Sequence, residues 1–223
     1  MTTAGLSVEV SHGALVAGAR ALVADDGVPD LRRDAWGHGL DVALAALGDA
    51  GVARACVDPA DAARAASFGL EPRTAPEGDS RRFYGLRGRS TPAMRAVSVV
   101  VSTKPLRAGE GVSYGYTHRA AADTWIGLVA GGYGQGVARA LGNRASIAVE
   151  GVMRPVVGRI AMDVCVVDLG PEGEHLSPGA EACLFGGDGP ARHNLHAWAE
   201  ATGWSPVELA GIIGASVPRR RVA

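Results

Sequence analysis

Two tyrosines set among glycines carry the most specific pattern in this 223-residue chain. Tyr114 lies in Gly111-Val112-Ser113-Tyr114-Gly115. Tyr133 lies in Gly132-Tyr133-Gly134-Gln135-Gly136, and after it come Arg139 and the run Pro155-Val156-Val157-Gly158-Arg159-Ile160-Ala161-Met162-Asp163. Glycines beside a side chain let the backbone take positive φ or approach another group closely, so each segment alone reads as a turn. The plain reading of Tyr114 is a half-buried aromatic whose hydroxyl finds a backbone partner. Other reactive groups are sparse. No Cys–His or Ser–His–Asp arrangement stands out. Cys56, Cys165 and Cys183 are widely spaced with no C-x-x-C pair, so they read as buried, reduced cysteines. His193 and His196 stand three apart without a third ligand, so no metal site is expected. The only lysine is Lys104.

Taken in order and spacing, the tyrosine and arginine segments resemble the C-terminal β-domain of alanine racemase, whose motifs read V-S-Y-G, G-Y-x-D-G-x-x-R and V-G-R-x-x-M-D. A second resemblance lies at Arg32-Arg33-Asp34-Ala35-Trp36-Gly37-His38-Gly39, where that family reads K-A-D-A-Y-G-H-G at the end of the first barrel strand. Asp49 to Ala53, Val57 and residues 60–69 resemble the family's next strand and helix, so the likeness covers residues 5–70 and 83–220. It implies pyridoxal phosphate as cofactor. It also implies that Tyr114 is an acid/base residue acting opposite the cofactor lysine, in the pocket of a partner subunit. Tyr133 would sit near the substrate entrance, and Met162 would contact the substrate carboxylate through its backbone.

The departures from that pattern decide the expected chemistry. Arg32 and Trp36 stand where the family has its cofactor lysine and a cofactor-holding tyrosine. A Schiff base needs an amine that can lose its proton, and a guanidinium stays protonated near neutral pH, so covalent cofactor binding is not expected. Lys104 falls on an ordinary strand position of the β-domain, remote from the barrel mouth. Gln135 replaces an aspartate, which puts the local hydrogen bonding of that turn in question. A closed (β/α)₈ barrel takes roughly 200 residues or more, yet the likeness jumps from Gly69 to Arg82-Phe83-Tyr84-Gly85-Leu86, which resembles the barrel's exit. The wall in between would carry the family's pyridine-facing arginine, its ring-stacking histidine and most of its phosphate cradle.

The elements that must position these residues can be read from periodicity. A strand is expected over 5–10, a helix over Ala14–Val23, a short strand over Asp30–Arg33, a helix from Leu40 to Leu47 and a strand over Ala53–Val57. Asp58-Pro59 then reads as the cap of a helix over 60–67. Such β-α-β-α order marks parallel crossover units. Beyond it, strands are expected over Val97–Thr103, Trp125–Ala130, Ser146–Val149, Pro155–Ile160 and Met162–Leu169, as in a compact β-barrel or sandwich, with helices over Asn194–Ala201 and Pro206–Ile213. The expected fold is α+β. Residues 1–75 form a truncated (β/α) barrel remnant, 76–92 a linker, and 93–223 an alanine racemase C-terminal-like β-domain. Gly158, Asp163 and Asp34 read as turn or cap residues, and His38 as a surface histidine.

With 22 basic and 23 acidic side chains the formal charge is −1, which gives no field to gather nucleic acid or an anionic membrane. Arg219-Arg220-Arg221 reads as a solvated tail. No leader or membrane-spanning stretch is recognised, which points to the cytoplasm. The expected protein is therefore an alanine racemase relative without racemase activity. The alternatives are a trans-acting partner that lends Tyr114 to a full-length racemase, or an active amino-acid racemase with a rebuilt site. An unfinished parallel sheet needs cover, so a homodimer or a mixed dimer is expected.

Overall fold

The computed structural model describes residues 5–25, 27–88 and 90–223. β1 (Ser7–Ser11) alternates buried Val8 and Val10 with half-buried neighbours and runs directly into α1 (His12–Val23). The Ser11 hydroxyl accepts the Ala14 N–H at 3.1 Å, a cap that is typically worth about 1 kcal/mol. α2 (Leu40–Asp49) turns Leu40, Ala43, Leu44 and Leu47 to one face, and that face packs on α1. β2 (Arg54–Cys56), α3 (Ala62–Ser67) and β3 (Glu71–Arg73) follow. β2 and β3 pair in parallel, and Asp30 bridges Cys56 in the same sense.

Three local expectations are corrected in this half. Asp30–Arg33 is not a strand: after the bridge at Asp30 the chain coils left-handed through Arg33, Asp34, Ala35 and Trp36, with φ of 56°, 56°, 52° and 50°. Asp58 holds the N-cap position, with Pro59 after it, but of a 3₁₀ turn over Pro59–Asp61 that leads into α3, and its carboxylate accepts the Arg33 N–H at 2.7 Å instead of making a capping bond. The expected linker is packed. Glu77 bridges Val28, and Phe83 and Tyr84 are fully buried.

β4 (Met94–Leu106) is the long strand around which the second half assembles. Its first turns bury Met94, Ala96, Ser98 and Val100 with strict alternation, and a register shift between Val100 and Ser102 redirects the remainder. A short hairpin of β5 (Gly111–Val112) and β6 (His118–Arg119) stands apart from the main sheet. β7 (Thr124–Ala130), β8 (Ser146–Val149), β9 (Val152–Pro155), β10 (Val164–Gly170) and β11 (Glu181–Phe185) complete an eight-stranded sheet ordered β10-β7-β4-β11-β8-β9. β1 joins it antiparallel to β4, and β12 (Arg219–Val222) lies parallel to β1.

The expected strand over Pro155–Ile160 ends at Pro155. Val156, Val157 and Ile160 are buried by packing under a loop over 156–163, with a single bridge from Val156 to Val167. The C-terminal arginines are likewise not a free tail: Arg220 pairs with Glu9, and Arg219 donates to the Gly37 carbonyl at 2.9 Å. α4 (Asn194–Thr202) and α5 (Pro206–Ser216) close the fold, the latter started by a reciprocal Ser205–Glu208 capping box.

One apolar core runs through both halves, from Leu15 and Leu44 through Phe83 and Tyr84 to Phe185, Trp198 and Ile213. A second, small cluster of Leu106, Val112, Ala120, Ile126, Val157 and Val166 lies under the β5–β6 hairpin and supports it.

Candidate functional site

The loop over 156–163 carries Met162 and is bonded to the two segments that carry Tyr114 and Tyr133. Ser113 donates from its hydroxyl to the Arg159 carbonyl at 2.7 Å, which seats the β5–β6 hairpin on this loop. Gly158, at φ +76°, allows the approach, since a Cβ there would lie 2.5 Å from the Ser113 Cβ. The Gly158 N–H in turn donates to the Asn143 side-chain carbonyl at 2.6 Å. Tyr114 stands at the hairpin tip, 83% exposed, and its hydroxyl has no partner among the described residues. The half-buried, bonded tyrosine expected on the plain reading is therefore not what forms.

Tyr133 begins a 3₁₀ turn (Tyr133–Gln135) on the same loop, with its N–H bonded to the Ala161 carbonyl at 3.0 Å and the Gly134 N–H to the Met162 carbonyl at 2.8 Å. The Arg139 guanidinium lies 5.0 Å from the Tyr133 ring centroid. Gln135 accepts the Gly132 N–H at 2.9 Å and donates to Asp163 at 3.2 Å, so the turn is internally bonded without the aspartate. Met162 is 55% exposed, and its own N–H has no partner among the described residues.

Arg32 directly precedes the left-handed turn and Trp36 ends it. Left-handed backbone costs non-glycine residues roughly 1–2 kcal/mol each, so four in succession must be held by their surroundings. The turn is bonded at every level. Within it the N–H of Ala35 reaches the Leu31 carbonyl at 2.9 Å and that of Gly39 the Asp34 carbonyl at 3.0 Å. The Asp34 carboxylate accepts the Leu40 N–H at 2.7 Å and pairs with Arg219 at 2.8 Å. Behind the turn α5 comes so close that a Cβ at Gly214 would lie 2.4 Å from the Gly37 carbonyl oxygen. Glycine is required there by contact alone.

The Arg32 guanidinium is already engaged. Its Nε and Nη2 donate to the two Asp30 oxygens at 2.8 and 2.7 Å in a fork, and its own N–H bonds Asp30 Oδ1 at 3.2 Å. Asp30 is 6% exposed. Burial alone would raise its carboxyl, but the bonds and charge from Arg32 outweigh burial and hold it below the usual range. Its backbone carbonyl accepts the buried Tyr84 hydroxyl, and its N–H bonds Ser80 at 3.0 Å. Trp36 is half-buried, with the Arg33 guanidinium 5.6 Å from its ring centroid.

His38 is fully buried, not at the surface. Its Nδ1 lies 3.0 Å from the Ala35 carbonyl and 3.1 Å from that of Trp36, which fixes the proton on Nδ1. Nε2 is left without a partner among the described residues, and the ring tilts against Tyr84 with centroids 4.4 Å apart. Burial pulls the imidazole pKa down to about 4, so it is neutral near pH 7.

Asp30 and Tyr84 are the site residues that pattern reasoning missed. The only available signal was a carboxylate two positions before Arg32. No hydrogen bond, ion pair or ring contact among the described residues joins Tyr114 to Arg32 or Trp36.

Comparison with known proteins agrees with the geometry. The family model described as "Alanine racemase, C-terminal domain" matches residues 93–221. The alanine racemase of Streptomyces coelicolor is 38% identical over 154 residues, covering 69% of this chain and 37% of that protein. That of Mycolicibacterium smegmatis is 38% identical over 174 residues, covering 77% and 42%. The chain thus matches about two fifths of the length of these relatives. The structure of the Streptomyces coelicolor A3(2) alanine racemase aligns with a TM-score of 0.78 at 21% identity, the aligned span covering 98% of each chain. That of the Bartonella henselae alanine racemase with covalently bound pyridoxal phosphate aligns at 0.80 and 14% identity, spanning 98% of this chain and 100% of that one. At such identities the structural likeness speaks for the fold, while the sequence matches speak for descent. The chain belongs to the alanine racemase family.

Proposed function

We propose that this chain is a member of the family that does not bind pyridoxal phosphate covalently and does not racemise alanine on its own. The observation that carries this reading is the Arg32–Asp30 fork. On the sequence resemblance Arg32 stands at the cofactor-lysine position, where the chemistry requires a free amine. A guanidinium cannot supply one, and this guanidinium is also spent on a buried carboxylate. The remaining groups do not fit the cofactor either. Trp36 brings an indole, a donor only, under the Arg33 guanidinium, and His38 is sealed in the core. Lys104 belongs to β4, exposed beside Glu110, Tyr116 and Arg119 rather than beside Arg32.

On this reading residues 1–75 are what remains of the barrel, and 93–223 are the β-domain that the remnant packs on. The protein acts in the cytoplasm as a homodimer. Among the described residues, no helix is long and apolar enough to cross a membrane. The test is conversion of L-alanine to D-alanine by the purified chain with pyridoxal phosphate added, and no turnover above the cofactor-only control is expected. Turnover that saturates with alanine would favour a rebuilt site.

One observation favours a second reading, that of a partner acting in trans on a complete racemase. Tyr114 is exposed, and neither its hydroxyl nor the Met162 N–H has a partner among the described residues, so both have more to offer a neighbouring chain than their own. A mixed complex with a full-length racemase from the same cell is the expected sign of it.

A further inference from the structure

α1 and the chain that follows Tyr84 enclose a groove of about 450 Å³, within the usual size of small-molecule sites. Its floor is Ala14, Ala17, Gly18 and Ala21, whose spacing puts them on one face of the helix, a different face from the buried Leu15 and Leu22. No side chain of the floor reaches beyond a methyl group, so the floor is flat and apolar. The chain at Phe83 rests directly on the helix, since a Cβ at Gly18 would lie 2.2 Å from the Phe83 carbonyl oxygen. It then doubles back, so that a Cβ at Gly85 would lie 1.8 Å from the Thr91 carbonyl oxygen. That close return sets Arg82, Arg87, Ser90 and Thr91 along the rim.

The polar groups of the rim are donors. Arg87 comes no nearer to a carboxylate than 3.6 Å, from Nε to Asp79, and both Asp79 oxygens are already taken by the Arg81 fork at 2.8 and 2.7 Å. Its guanidinium therefore keeps its donors for another acceptor. Arg82 pairs with Asp25 through Nη1 alone. The Ser90 hydroxyl has no partner among the described residues, and Thr91 Oγ1 accepts from Arg192 Nη2 at 2.7 Å, which leaves its own proton to give. Guanidinium and hydroxyl donors together suit a phosphate, which offers three oxygens, better than a carboxylate, which the guanidinium fork alone would saturate. The space is much larger than inorganic phosphate, and its flat apolar floor suits a planar ring.

We propose that this groove binds a nucleoside monophosphate, its phosphate on Arg87 and the Ser90 and Thr91 hydroxyls and its base flat on Ala17 and Ala21. The floor carries no side-chain hydrogen-bonding group to tell one base from another. None of the lining residues belongs to the Arg32–Asp30 fork or to the left-handed turn, and Lys104, the only lysine, lines a different depression. A phosphate ester seated here forms no Schiff base, so the site stands whether or not the chain takes pyridoxal phosphate.

The test is calorimetric titration of the full chain, with no cofactor added, by adenosine monophosphate. Titrations with adenosine, which lacks the phosphate, and with inorganic phosphate, which lacks the ring, run beside it. The nucleotide is expected to saturate, with each fragment at least about tenfold weaker. Arg87→Ala removes the free guanidinium from an exposed loop position. Ala17→Leu fills the floor from an exposed helical position, exchanging one good helix former for another, so both variants should fold. Each should weaken nucleotide binding by about tenfold or more, the first through charge and the second through space alone. The proposal is overturned if the nucleotide gives no saturable signal, if either fragment binds as tightly, or if folded Arg87→Ala or Ala17→Leu binds like the parent.

Discussion

At the scale of single residues, the decisive feature is that one arginine is committed to one buried carboxylate. Removing the arginine leaves Asp30 charged and unpaired at 6% exposure. Arg32→Ala should therefore cost about 2 kcal/mol in urea unfolding, less than a fully buried pair because the Arg32 side chain is 39% exposed. Replacing both partners, Asp30→Asn with Arg32→Met, should recover most of that loss. His38 gives a pH signature. Its folded pKa of about 4 lies below the ordinary histidine value of 6.5, so between these the unfolded state binds more protons. The contribution is complete above about pH 6.5 and falls away as the pH drops toward 4, by about 3 kcal/mol in all. Equilibrium unfolding of His38→Gln should show a flatter profile across that window. The proximity of Asp30 to Arg32 was legible in the sequence, but the burial of His38 was not, because it depends on Tyr84, far along the chain.

At the scale of elements, the left-handed turn explains why one part of the sequence misled and others did not. Ser146–Val149 is a strand with the ends its β-branched pattern predicts, since Glu150 and Gly151 stop it locally. The turn at Arg33–Trp36 has no such local signature. Its residues are not glycine, and its supports arrive from Gly214 in α5 and from Arg219, which bonds Gly37 across a separation of 182 positions. Arg219→Ala removes the bond to Gly37 and the pair to Asp34 together. Amide exchange over residues 33–39 should then speed up, while β4 and β7 stay protected. Uniform loss of protection across the sheet would instead mean that Arg219 supports the whole fold. The loop over 156–163 misled for a different reason. Its apolar residues alternate enough to suggest a strand, yet they are buried to hold the tyrosine-bearing turns in place.

At the scale of the whole molecule, a β-domain with its turns intact is joined to a short α/β portion through one continuous core. The motifs of the β-domain were legible because glycine turns are set by local backbone demands. The proposed loss of the cofactor site was legible only as Arg32 at the lysine position of the resemblance, and the fork with Asp30 needed three-dimensional placement. Tyr114, Tyr116 and Met162 leave 83%, 65% and 55% of their surface exposed, large apolar area for a partner to cover. Sedimentation velocity should therefore find a dimer, and Tyr114→Ser should weaken it.

Whether any lysine of this chain holds the cofactor is decided by adding pyridoxal phosphate, reducing with borohydride and locating any adduct by mass spectrometry. Lys104 is the only lysine, so the side-chain outcome is unambiguous. No stoichiometric adduct and no D-alanine are expected. A stoichiometric adduct on Lys104 accompanied by racemisation would overturn the proposed loss of the cofactor site.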